Sequence, residues 1–186
     1  DTVARLQKAY TTLAQAIKRS EIDNGPLETW DYTASTHEHF ANTYILPYLN
    51  IIKNCGTTEN GCWSENKFNL MNGNTVSTTG YAKAVLNDGT FLLVDTQGSH
   101  AHFVVDIDGF KGPNRYGRDV FTFTITPKSL YESNWHKIDK PGLYPQGAGI
   151  SRNDILNNSC NKNTQGYACV GLIVQDGWQI KDDYPW

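Results

Sequence analysis

In this 186-residue chain, the spacing that most directly suggests a functional site is that of two histidines, His100 and His102, separated by one residue. On a β-strand alternate side chains share a face, so this pair would lie on the same side as Asp106. Imidazole and carboxylate groups bind transition metals, and His136 is the only histidine further along the chain. The pattern fits a small metal-dependent enzyme using His100 and His102, or two histidines on a solvent-facing strand.

A glycine-rich turn holds four hard oxygen donors, the ligand type that calcium prefers: Asp106, Asp108, Asn114 and Asp119. The spacing differs from that of an EF-hand, because glycine stands at the fourth position instead of the sixth and no glutamate closes the loop. Aspartate and asparagine in such turns also hydrogen-bond their own backbone, which is their commoner use. The sequence therefore predicts a tight loop between strands, with a calcium site as the alternative.

Four cysteines fall into two pairs that enclose six and eight residues, Cys55 with Cys62 and Cys160 with Cys169. Paired zinc ligands are usually separated by about two to four residues, and the chain has no C-x-x-C redox motif. We expect the disulfides Cys55–Cys62 and Cys160–Cys169, and therefore an extracytoplasmic protein. The alternative is four reduced, buried cysteines.

Helical spacing of apolar residues predicts an amphipathic helix over residues 2–19, with the stripe Val3, Leu6, Tyr10, Leu13 and Ile17. A second helical region is expected over residues 36–53, kinked or divided by Pro47. Residues 55–79 are rich in Asn, Gly and Thr and are expected to form a loop.

Alternating hydrophobicity in the region of about residues 81–126 predicts four strands, at 81–86, 90–95, 101–107 and 120–126. Such alternation suits an antiparallel sheet with one covered and one solvated face. The remainder, 127–186, is expected to be rich in loops, with Ser151 capping a short helix. The predicted fold is α+β: one domain, residues 1–186, in which the N-terminal helix packs on a four-stranded antiparallel sheet with disulfide-pinned loops.

The charge of the chain excludes some classes of partner. Its net charge of −3 lacks the basic footprint of a nucleic-acid-binding protein, so no nucleic-acid partner is expected. No apolar run approaches the ~18 residues that span a bilayer, so we expect no membrane contact by these residues. Residues 1–20 carry a net charge of +3, which leaves −6 on the rest of the chain.

Three segments resemble parts of type IV pilin-like proteins and type II secretion pseudopilins. Residues 6–32 resemble the C-terminal half of the pilin spine helix and the turn that leaves it. Residues 104–125 resemble the strand–loop–strand segment that reads D-x-N-G-x-x-G-P-N followed by G-x-D. Residues 160–186 resemble the disulfide-bearing C-terminal region of the same group.

The resemblance implies a non-enzymatic structural subunit of a pilus or secretion pseudopilus, whose partners are other pilin or pseudopilin subunits. It implies a full-length protein with a further hydrophobic helix, anchored in the inner membrane facing the periplasm or held in a cell-surface filament. Residues 1–186 would be the truncated outer domain of that protein, a monomer on its own. Two rival functions remain: the metal-dependent enzyme, and a secreted adhesin or lectin that binds through Trp63, Trp135 and Tyr144.

Overall fold

The computed structural model describes residues 1–33, 36–58, 62 and 67–186. Within these ranges its α-helices are α1 Thr2–Asn24, α2 His37–Phe40, α3 Arg152–Asn158 and α4 Cys169–Gln175. Its strands are β1 Ile51–Gly56, β2 Lys67–Asn69, β3 Thr75–Ser77, β4 Ala82–Leu86, β5 Phe91–Thr96, β6 Ala101–Asp106, β7 Val120–Thr126, β8 Leu130–Glu132, β9 His136–Ile138 and β10 Gly142–Pro145. Six strands form one antiparallel sheet in the order β1-β4-β5-β6-β7-β10, while β2–β3 and β8–β9 are two-stranded hairpins.

Helix α1 packs its apolar side against one face of the six-stranded sheet. The side chain of Asp1 caps the helix by accepting the backbone N–H of Val3 at 3.1 Å. Of the predicted stripe, three members are buried in the core and two are half-buried against it: Leu6, Leu13 and Ile17, then Val3 and Tyr10. The Tyr10 ring lies 5.4 Å from that of Phe123 on β7, which joins helix and sheet directly. The helix extends five residues beyond the predicted end, to Asn24.

The second helical region is shorter than predicted. Helix α2 continues through a π-helical turn, Ala41–Ile45, into the 3-10 helix Leu46–Tyr48. Pro47 lies in the first turn of that 3-10 helix, where its missing N–H costs no hydrogen bond. The expectation of helix up to residue 53 is wrong, because residues from Ile51 onward pair with β4 as strand β1.

The prediction of a four-stranded sheet is wrong, because the sheet has six strands. The four predicted segments correspond to the central strands β4 to β7, and the error lies at the two edges. Strand β1 pairs with β4 on one side, and β10 pairs with β7 on the other. Strand β1 has three consecutive exposed residues, and β10 contains both glycine and proline, so neither has the apolar alternation of a typical strand.

The two edges of the sheet are both irregular or short. Along β1 the register shifts twice, between Ile51 and Lys53 and again between Asn54 and Gly56. Strand β10 has four residues and ends at Pro145, which has no N–H to donate. One edge strand is therefore irregular in register, and the other is regular but short.

Both faces of the sheet are covered, whereas the sequence predicted a solvated one. The first face packs against α1 and α4. The second face, opposite α1, carries a smaller apolar cluster that includes Phe68 of β2 and Tyr116. Polar side chains of β7 on this face, such as Thr122 and Thr124, are consequently buried. Residues of the predicted loop 55–79 supply part of this cover through the β2–β3 hairpin.

The C-terminal region contains more regular structure than predicted. It holds β8, β9, β10, α3 and α4, and Ser151 caps α3 by accepting the N–H of Asp154 at 3.2 Å. Disulfides join Cys55 to Cys62 and Cys160 to Cys169, the pairing favoured by the sequence.

Arg152, on α3, connects that helix to the end of the chain through two carboxylates. Its guanidinium donates to both oxygens of Asp176, at 2.8 and 2.9 Å, and to both oxygens of Asp183, each at 2.7 Å. These hydrogen bonds fix the chain after α4 against α3, because an arginine fork bound to two carboxylates restricts both.

Candidate functional site

A cavity of about 240 Å³ lies over the second face of the sheet. Its floor consists of side chains from the central strands, Leu93 on β5, Val104 on β6 and Thr122 on β7. The hairpin β2–β3 and the segments around residues 116, 135, 146 and 167 complete the wall. The cavity therefore depends on pieces of chain that are far apart in sequence.

Aromatic rings form much of the cavity wall. Tyr116 meets Tyr167 edge to face with their ring centres 4.8 Å apart, and Tyr167 meets Trp135 at 6.1 Å. Tyr116 is buried, whereas Trp135 is 41% exposed and stands at the opening to solvent. Burial raises the pKa of Tyr116 and of Tyr167, so both hydroxyls are neutral near pH 7. The wall offers ring faces and neutral hydroxyls to a bound molecule.

The cavity also contains a half-buried carboxylate, that of Asp95. Its Oδ2 accepts a hydrogen bond from Gln97 at 2.7 Å, but its Oδ1 is buried with no hydrogen-bond partner among the described residues. Nδ1 of His37 is 3.6 Å from Oδ1, yet that nitrogen already accepts the N–H of Thr96 at 2.9 Å. Nδ1 of His37 is therefore an acceptor and does not donate to Asp95. Burial raises the pKa of Asp95. Oδ1 is available to accept a hydrogen bond from a ligand.

Three histidines form a cluster at one end of the cavity. The ring centres of His100 and His102 are 4.9 Å apart, and that of His136 is 6.1 and 6.2 Å from them. The β8–β9 hairpin brings in His136 together with Glu132, its partner in the strand register. Potential ligand atoms of His100, Glu132 and His136 all lie within 4.8 Å of one another. His102 also lines the cavity, so the two features adjoin.

Each histidine ring of this cluster is held by one hydrogen bond. Nδ1 of His100 pairs with Ser99 Oγ at 2.9 Å, and Nδ1 of His102 pairs with Thr124 Oγ1 at 3.0 Å. Nε2 of His136 pairs with a carboxylate oxygen of Glu132 at 2.9 Å. Neutral imidazole has one donor and one acceptor nitrogen, so the second nitrogen of each ring is a further potential donor, acceptor or metal ligand.

The histidines of the cluster are neutral near pH 7. Burial lowers the pKa of His100 and of His136. Burial, followed by the charges of the other two histidines, lowers the pKa of His102 to about 3. Neutral imidazole is the form that binds a metal ion or accepts a hydrogen bond.

The structure changes the predicted grouping of His100, His102 and Asp106. The two histidines adjoin, but they are not on a solvated surface, since His100 is 4% exposed. Asp106 lies at the far end of β6 and belongs to a different cluster, with Asp108 and Asp119.

The loop that follows β6 brings three of its four predicted calcium donors together. Carboxylate oxygens of Asp106, Asp108 and Asp119 lie within 4.8 Å of one another. Asn114 contributes its backbone N–H, which donates to Asp119 Oδ2 at 2.9 Å. Asp106 Oδ1 accepts the N–H of Gly109 at 3.0 Å, so these side chains do bond their own loop backbone. Binding of calcium at this loop remains a prediction.

Burial and mutual repulsion shape the electrostatics of this loop. Burial, then the charge of Asp119, raises the pKa of Asp106 to about 8, and burial raises the pKa of Asp119. Oδ1 of Asp108 is buried without a hydrogen-bond partner among the described residues. Near pH 7 the cluster therefore retains a proton or requires a cation to balance its charge.

Several residues of the site were not singled out in the sequence: Tyr81, Glu132, Gln146 and Tyr167. Of these residues, only Glu132 has a local sequence signal, its E-x-x-x-H spacing to His136. That spacing indicates a site only when the β8–β9 hairpin places the two residues opposite each other. Trp135 lines the cavity as an exposed aromatic residue, whereas Tyr144 pairs with Thr124 in the sheet. Trp63 lies outside the described residues.

Fold and site together define a disulfide-bonded α+β domain with an aromatic cavity and a histidine cluster over one face of its sheet. The chain belongs to a family described as a family of unknown function, DUF6613, which matches residues 2–186. No curated protein and no solved structure matches the chain. The two disulfides indicate an oxidising location, extracytoplasmic or secreted. Among the described residues, no helix combines the length and apolar character needed to cross a bilayer.

Proposed function

We propose that this chain is the outer domain of a filament subunit of the pilin or pseudopilin type, with a structural role and no catalytic one. The observation that carries the proposal is that the segments resembling those proteins also contact one another. Helix α1, from the first segment, packs on the sheet that contains β6 and β7, from the second. Contact between these segments is what a shared pilin-like fold would require.

The second and third segments meet where the loop before β7 reaches the C-terminal region. The hydroxyl of Tyr184 donates to the carbonyl oxygen of Gly117 at 2.6 Å. Gly117 has φ of +83°, and a Cβ there would lie 3.0 Å from the Cys169 sulfur. The glycine of the G-x-D pattern is thus required both by its backbone conformation and by the disulfide beside it.

The outer side of α1 supports assembly by charge. Residues 1–20 carry four exposed cations, Arg5, Lys8, Lys18 and Arg19, which with Asp1 give a net charge of +3. Lys8 already pairs with Asp88 of the same chain at 2.9 Å, and Arg19 donates to the carbonyl oxygen of Tyr48 at 2.6 Å, so Arg5 and Lys18 are the cations proposed to contact another copy. The rest of the chain carries −6, so the helix of one copy is complementary to the remaining surface of another. Contacts of this kind orient subunits while leaving each domain folded by itself.

The proposal is tested in cells that make the protein. Antibodies against residues 1–186 should label sheared surface filaments or an envelope fraction, and Lys18→Glu should reduce incorporation of the subunit. Lys140→Glu, an equal charge change at an exposed site far along the chain, should leave incorporation unchanged. Release of the wild-type protein solely as a free secreted molecule would contradict the filament role.

A second candidate is a secreted binding module, and the cavity favours it. Aromatic faces beside a carboxylate oxygen and the amides of Gln97 and Gln146 are groups that recognise hydroxylated ligands such as small sugars. The test is a saccharide array followed by calorimetry. Trp135→Ala should abolish any binding found, whereas Tyr131→Ala, an exposed aromatic of the same hairpin outside the cavity, should retain it. Absence of binding to the array would remove this candidate.

A further inference from the structure

We propose that His100, Glu132 and His136 form a binding site for a divalent transition metal of the zinc type. This site differs from the pair suggested by the sequence, because the third ligand is a carboxylate that only the fold brings near. The proposal is independent of a filament role, since a structural subunit and a binding module can both hold a metal.

The distances are close to those that a metal requires. Donor atoms of the three residues lie within 4.8 Å of one another, and Glu132 and His136 are already in contact at 2.9 Å. Ligands at about 2.0–2.2 Å from zinc are themselves roughly 3–4 Å apart. Closing the set around an ion therefore needs movements on the order of 1 Å, within reach of side-chain adjustment.

The framework holds these residues in place before any ion binds. Glu132 and His136 are opposite each other in the β8–β9 register, and His100 immediately precedes β6. The Ser99 hydroxyl holds Nδ1 of His100, which leaves Nε2 of that ring to face an ion. Supporting hydrogen bonds of this kind orient metal-binding histidines in proteins.

The position of His136 adds to this framework. The residue is 1% exposed, and its Nε2 is the nitrogen that faces Glu132, at 2.9 Å. An ion bound between Glu132 and this nitrogen would replace that hydrogen bond by two metal–ligand bonds. Nδ1 of the same ring points away from Glu132 and lies outside the ligand set.

The donor set indicates which metals the site would accept. Two imidazoles and one carboxylate suit zinc and its relatives, whereas calcium and magnesium prefer oxygen ligands only. With neutral histidines the set carries a single negative charge from Glu132, which a divalent cation more than balances. His102 adjoins His100 and also lines the cavity, so a position on the metal can face the cavity.

Metal titration of chelator-treated protein tests the site, with Zn²⁺ followed by calorimetry and Co²⁺ by its visible spectrum. We expect one equivalent to bind and the melting temperature to rise, because an ion that binds only the folded state stabilises it. Glu132→Gln preserves size and a hydrogen bond to His136, so it should fold normally and weaken Zn²⁺ binding at least tenfold. His100→Gln should do the same.

The matched control is His39→Gln, which removes an exposed histidine of α2 and should leave affinity within about threefold of wild type. The proposal is overturned if wild-type protein takes up neither metal. It is also overturned if His39→Gln weakens binding as much as Glu132→Gln does, because surface histidines would then account for the uptake.

Discussion

Replacing Asp106 with asparagine should make the protein more stable at alkaline pH than the wild type. Asp106 is completely buried beside Asp119, and its pKa is raised from 3.8 to about 8. Because an acid with a raised pKa keeps its proton in the folded state, its contribution to stability is present at low pH. That contribution is lost as the pH rises from about 4 to 8. Asparagine cannot ionise, and its oxygen can still accept the N–H of Gly109.

The size of the effect follows from linkage. One proton held by the folded state alone changes the free energy of unfolding by about 1.4 kcal/mol for each pH unit. The advantage of Asp106→Asn over wild type should therefore grow by up to about 4 kcal/mol between pH 5 and pH 8. The histidine cluster also titrates, but it is present in both proteins and cancels in the difference.

Urea unfolding at several pH values measures this difference, with Asp182→Asn as the control. Asp182 is exposed, so its variant should give a stability curve parallel to that of wild type. If the Asp106→Asn curve is also parallel to wild type from pH 5 to pH 8, Asp106 holds no extra proton. The electrostatic account of this loop would then be refuted.

Three further predictions concern the helix, the loop and a disulfide. Leu13→Ala should lower the free energy of unfolding by about 2–5 kcal/mol in urea denaturation, because Leu13 is buried against the sheet. Ile22 is 82% exposed on the same helix, so Ile22→Ala should lower it by less than about 0.5 kcal/mol. Calcium should raise the melting temperature and Asp108→Asn should abolish that rise, whereas indifference to calcium and chelator would leave the loop as turn structure. Replacing Cys160 and Cys169 by serine should cost roughly 2–3 kcal/mol of unfolding free energy, from the loop entropy that a short cross-link removes; no loss would indicate that packing alone holds that loop.

The central strands could be predicted from the sequence because each is a run of five to seven residues rich in apolar residues, and β7 alternates apolar residues with threonine. The edge strands could not be predicted, since an edge strand needs only one neighbour and tolerates the irregular register of β1 and the Gly and Pro of β10. The cover on the second face was missed for a related reason. A hairpin of three-residue strands, β2–β3, is too short to have a period, and it is stabilised by contact with the sheet.

The candidate site was only partly predictable. The spacing of His100 and His102 was sufficient to predict a possible metal site at strand β6. Nothing in the local sequence indicates that Glu132 and His136 fold back against that strand. The cavity needs side chains from β3, β5, β6 and β7 together with Trp135 and Tyr167, so it exists only in the tertiary structure. By contrast, the close sequence spacing of the carboxylates in the loop after β6 was sufficient to predict their cluster.

The irregular edges of the six-stranded sheet have a consequence for crowded conditions. A straight, unpaired edge invites a strand of another molecule to add, which is the start of amyloid-like aggregation. Here the register shifts in β1 bend one edge, and Pro145 ends the other after four residues. Copies held side by side at high local concentration would find no continuous ladder to extend at either of these edges. These two edges are therefore protected from strand addition when copies are crowded together.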